Sequence, residues 1–116
     1  MAAEKGGEGL IKRETYIKKY RKSLTDQLAA KGKDTDYNRD LVDKCVAHEE
    51  SILDLIEDIR TRGTIVTWET ARGEERVGPN PSLKEKRDEI KSQLAILHHL
   101  DMENPERKED PTDGYM

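Results

Sequence analysis

The chain has no phenylalanine, one tryptophan and one cysteine in 116 residues. Only 33% of it is hydrophobic, against 40% charged. That supply of apolar side chains argues against a compact monomer with a large core. It fits an elongated helical protein that shares apolar faces between subunits. The lone Cys45 excludes an intrachain disulfide and suits a reducing compartment. No apolar run reaches the length of a membrane span and no secretory leader is evident, so a soluble, cytosolic protein with no membrane partner is expected.

Catalytic signatures are missing as well. There is no G-x-x-x-x-G-K-[ST] and no G-x-G-x-x-G loop. His48-Glu49 starts like a zincin pair, but Ile52 stands where the second histidine would be. His98 and His99 are neighbours on a helix and diverge by about 100°, which is poor for chelating one metal. Cys45 falls on an apolar helical line and reads as a core thiol. No catalytic residue, metal or cofactor is expected.

Charge, by contrast, is plentiful and unevenly spread. Residues 1–33 carry nine Lys/Arg against four Asp/Glu, whereas residues 34–63 carry four against nine. The net charge of −4 therefore does not exclude a polyanionic partner. Residues 1–9 are small and glycine-containing and read as a flexible N-terminus. Leu10 to Lys31 reads as a first helix, with Leu10, Ile17, Leu24 and Leu28 on one face. Lys12, Lys18, Lys19 and Lys22 project from the opposite face, and Arg13 and Arg21 flank the apolar stripe. The six cations are the candidate phosphate contacts; a merely solvated face is the competing reading.

A second helix, capped by Asp34 or Thr35, should run to about Arg62. Leu41, Cys45, Ile52, Leu55 and Ile59 form one apolar line, and Val42, Val46, Leu53 and Ile56 a second beside it. The pair is wider than the usual stripe of about 100°, so this helix should be central, with neighbours on both sides. Its outer face is acidic, with Asp36, Asp40, Asp43, Glu50, Asp54, Glu57 and Asp58. Gly63 should close it. A hairpin over residues 64–78 follows, turning at Ala71-Arg72-Gly73, and its Trp68 should be partly shielded. Asn80 and Pro81 then suit the N-cap and first position of a last helix. Leu83, Ile90, Leu94 and Leu97 line it with coiled-coil-like spacing. With Val42, Val46, Leu53 and Ile56 they are the candidate oligomer interface. Residues 101–116 read as an acidic, mobile tail.

The order of these parts carries a resemblance. A helix ending at Gly63, the strand Thr64-Ile65-Val66-Thr67, a charged turn, and Pro79-Asn80-Pro81-Ser82-Leu83-Lys84 opening the last helix resemble the small subunit of tailed-phage terminases, in the group whose last helix starts with an Asn-Pro step. The similarity spans roughly Tyr37 to Leu100. It implies a mainly α, ring-forming homo-oligomer in the host cytoplasm. Such a subunit binds double-stranded viral DNA and presents it to the terminase large subunit, the ATPase and nuclease, for genome packaging. Residues 10–100 would then be the helical oligomerisation and DNA-binding domain. Two other classes stay open. One is a non-enzymatic helical scaffold or adaptor that binds only protein. The other is a small DNA-binding transcription regulator, although no helix-turn-helix with a short second helix is evident.

Overall fold

Three helices and one hairpin make up the chain in the order α1 (Ala2–Ala30), α2 (Asp36–Arg62), β1 (Ile65–Glu69), β2 (Glu75–Pro79) and α3 (Pro81–His99). The structure, a computed structural model, describes residues 2–107, with side chains from Lys12 onward. Helix α1 starts at Ala2 rather than at Leu10. The side chain of Leu10, first position of the expected stripe, lies outside the described residues, as do residues 108–116 of the expected tail.

The punctuation of the chain follows from local chemistry. Gly32, at φ 67°, turns the chain out of α1. The Thr35 hydroxyl accepts from the Asn38 amide at 3.2 Å and caps α2. Gly63, at φ 90°, closes α2 by donating its N–H to the Ile59 carbonyl at 2.7 Å. Asn80 caps α3 through the Ser82 amide, and Pro81 occupies the first turn.

Helix α2 lies between α1 and α3, as the double stripe required. The main core cluster joins α1, α2 and the end of α3, and Ile52, Ile56 and Ile59 continue the buried line along α2. Tyr20, Leu24 and Leu28 of α1 meet Val42, Cys45 and Val46 of α2, closed off by Leu97, Leu100 and Met102. Val42, Val46, Ile56 and Leu97 are therefore already buried within one chain, which corrects their placement in an oligomer interface.

Helix α3 differs most from expectation. Its buried positions are Ser82, Lys86, Gln93 and Leu97. The seam Leu83–Ile90–Leu94 is turned roughly 70° away from their centre at 100° per residue. Leu83 and Ile90 are half-buried and Leu94 is 47% exposed. Gln93 meets the Cys45 carbonyl and Glu49 of α2, and Ser82 meets Asp58, pairings that hydropathy alone does not register.

The hairpin is antiparallel, with Thr67 opposite Val77 and Trp68 opposite Arg76. It projects from the helices with Ile65, Trp68 and Val77 exposed. Trp68 is 48% exposed and so partly shielded, with its ring against Gly78. The start of the expected tail is also different. Met102 is buried, and residues 101–107 fold back over the helices instead of leaving them. No described helix is long and apolar enough to cross a membrane.

Candidate nucleic-acid interface and its polar anchors

The six candidate cations of α1 divide into two groups. Lys12, Lys18, Lys19 and Lys22 are exposed. Among the described residues no carboxylate pairs with Lys12, Lys18 or Lys19, and Lys22 meets only Asp26 one turn on, at 2.7 Å. Arg13 and Arg21 instead reach across to α2. Arg13 bonds Asp54 at 2.6 Å and the Glu50 carbonyl at 3.0 Å, and Arg21 pairs with Asp43. Both arginines are thus inter-helix ties, with side chains that stay 35% and 46% exposed. The flanks of a packed stripe are where long cations can reach a neighbouring helix. The residues at its back cannot. Lys86 is fully buried, so of the basic residues of α3 it is unavailable to a ligand, while Lys84 meets Asp88 at 3.3 Å.

The lysine row is held in place by a buried polar anchor. Glu49 is 0% exposed on the inner face of α2. It accepts from the Tyr16 hydroxyl at 2.6 Å, the Gln93 amide at 3.0 Å, and Arg107 Nε and Nη2 at 2.9 and 2.6 Å. Burial alone would raise the pKa of this carboxyl. The combined bonds from Arg107, Tyr16 and Gln93 outweigh that and hold it below the ordinary glutamate range. Burial, and then the bond to Glu49, push the Tyr16 phenol up. One carboxylate therefore joins all three helices and the C-terminal segment. Its position was legible: Glu49 lies three residues after Val46 and three before Ile52, inside the apolar lines. Its partners Gln93 and Arg107 carry no local signal, because they meet Glu49 only through the fold.

A second anchor fixes the helix–hairpin–helix corner. Asp58 takes bonds from Arg62 Nε at 2.7 Å, Ser82 Oγ at 2.6 Å and Asn80 Nδ2 at 3.2 Å. Arg62 first, then Ser82, hold this carboxyl well below its usual range. Asn80, 1% exposed, also donates to the Gly63 carbonyl at 2.9 Å, and its backbone N–H bonds the Thr64 carbonyl at 2.8 Å. The Asn-Pro step thus ties the end of α2, the base of the hairpin and the start of α3 at one point.

His48 Nδ1 and Glu89 Oε2 join α2 to α3 at 2.5 Å. Cys45 is fully buried, and burial pushes its thiol up to about 11, which makes it a packing residue rather than a nucleophile. Among the described residues no three His, Cys, Asp or Glu side chains are grouped to hold a metal ion. Comparison with known protein families, curated proteins and solved structures gives no match to this chain.

Proposed function

We propose that this chain is a non-enzymatic, DNA-binding helical subunit that works as a small terminase subunit, presenting double-stranded DNA to a large ATPase/nuclease subunit. The observation that carries the DNA part is the exposed row Lys12, Lys18, Lys19 and Lys22 on the outer face of a helix whose inner face is packed. Long, flexible, unburied cations along one helix are suited to neutralising a phosphate backbone without reading bases. The packaging part rests on the order of elements and on the Asn80-Pro81 corner. The half-exposed seam of α3 and the exposed apolar residues of the hairpin support self-association, since a two-stranded hairpin is marginal by itself.

Binding of a random-sequence DNA duplex by the wild type and by the Lys12→Glu/Lys18→Glu/Lys19→Glu/Lys22→Glu variant tests the reading. Wild-type log affinity should fall linearly with log salt. Each single Lys→Ala change should flatten the slope by at most about one unit. The quadruple variant should keep its helical circular dichroism and lose binding. Unchanged binding in that variant would overturn the assignment of these lysines.

A further inference from the structure

Residues 101–107 have no regular secondary structure beyond the turn at Asp101, yet they make a series of exposed and part-buried polar contacts across the fold. The Glu103 N–H donates to Gln27 Oε1 at 2.8 Å, and Gln27 Nε2 returns a bond to the Glu103 carbonyl at 2.9 Å. Asn104 accepts from the Tyr20 hydroxyl at 3.0 Å. Arg107 then inserts its guanidinium, only 13% exposed, onto Glu49. Gln27, Tyr20 and, through Glu49, Tyr16 form a ladder up one side of α1.

We infer that residues 101–107 act as a displaceable latch on α1, with Arg107 and Glu49 as its bolt, so that drawing this segment away frees the half of α1 that bears Lys12, Lys18 and Lys19. Two features make the latch releasable. The segment is held mainly by polar contacts, and Met102 is its one buried apolar side chain. Polar groups pulled into water recover hydrogen bonds there, so opening is far less costly than extracting an apolar segment of equal length.

Helix α1 itself is divided in the way a latch needs. From Tyr20 to Leu28 it is anchored by buried apolar side chains. Between Lys12 and Tyr20 no apolar side chain is fully buried: Tyr16 and Ile17 pack on the core only partly buried, and the remaining inward contacts are polar, Arg13 with Asp54, both partly exposed, and Tyr16 with Glu49. With Arg107 gone, Glu49 would be a buried carboxylate facing only a hydroxyl and an amide, and it would draw water into the α1–α2 seam. The upper half of α1 should open while the lower half stays. An element opened in this way belongs to the low-stability end of local unfolding. The sequence that continues beyond Arg107 is acidic, so a basic partner surface that captures it is the kind of ligand that would pull the latch.

Amide hydrogen exchange on the full chain and on Arg107→Met tests the latch without reference to DNA. Residues 12–20 should exchange at least about tenfold faster in the variant, with residues 24–28 and α3 unchanged. In Glu49→Gln/Arg107→Met, where no charge is left unpaired, protection of residues 12–20 should return. Unchanged protection in the single variant, equal loss through all three helices, or a double variant as open as the single one would each overturn the latch. Its link to DNA rests on the function proposed above. Duplex affinity at fixed salt should fall about fivefold in Arg107→Met, because binding must reorder the helix, and recover in the double variant. Selective opening with unaltered affinity would overturn that link alone, whereas failure of the DNA reading itself would show in the four-lysine variant.

Discussion

Replacing Asn80 by aspartate separates two roles that one side chain combines. As an N-cap, Asp is as good as Asn and complements the positive helix end. The acceptor bond to the Ser82 amide, 2.9 Å in the wild type, is therefore kept. The two bonds donated by Nδ2, 3.2 Å to Asp58 and 2.9 Å to the Gly63 carbonyl, become contacts between acceptors. Asn80 is 1% exposed, so water cannot repair them. An unsatisfied buried group costs about 1–3 kcal/mol. The new carboxylate also faces Asp58, with only Arg62 between them in charge, for a total of about 2–4 kcal/mol at neutral pH. Urea unfolding followed by circular dichroism measures it. Asp58→Asn in the same chain moves the negative charge from one side of the pair to the other. The double variant should recover half or more of the loss, because neighbouring sites are not additive. Asn80→Ala gives the reference, losing the cap and both donors without adding charge. If Asn80→Asp matches the wild type, or if Asp58→Asn fails to rescue it, the corner is not held by this network.

Four further outcomes are expected. Arg107→Met should destabilise the chain by less than the about 3–5 kcal/mol that stripping one partner from a fully buried pair costs, because the opened α1–α2 seam hydrates Glu49; equilibrium unfolding that shows the full loss, or none, would refute that opening. Glu49 and Asp58 have folded pKa values below their ordinary 4.5 and 3.8, so their stabilisation is full above those values and is lost as pH falls through the depressed ones, a steep acid limb that Glu49→Gln should flatten in a pH titration. Cys45 has the opposite sign: with an ordinary value of 9.0 and a folded value of about 11, its stabilisation is present below pH 9.0 and lost as pH rises toward 11, and its labelling by a thiol reagent at neutral pH should track unfolding. Leu94→Asp with Val77→Asp should leave the monomer folded and dissociate the assembly in native mass spectrometry; a wild-type chain that is monomeric at micromolar concentration would overturn self-association.

The segment after Leu100 shows why composition misleads at short range. Pro105 and a surplus of acid argue against a helix, and residues 102–107 form none. Neither feature shows that Asn104 and Arg107 meet Tyr20 and Glu49 across the fold. A truncation that is meant to remove only the tail must therefore fall after Arg107.

What the sequence by itself determined was local. Thr35, Gly63, Gly73, Asn80 and Pro81 set the ends of the elements because caps, positive φ and a missing N–H act within a few residues. Periodicity placed Leu24 and Leu28 inward and Lys18 and Lys22 outward, because a helix converts spacing into direction by itself. The width of the apolar surface on α2 also foretold its central place. Tertiary structure decided the rest. Which side of α3 faces α2 was settled by polar partners, with Gln93 and Lys86 buried and Leu94 left out. The two arginines of α1 became ties because Asp43 and Asp54 lie across from them. Glu49 became the meeting point of four segments. Hydrogen bonds and ion pairs between residues dozens of positions apart leave no period in the chain, and only the folded backbone brings them within 3 Å.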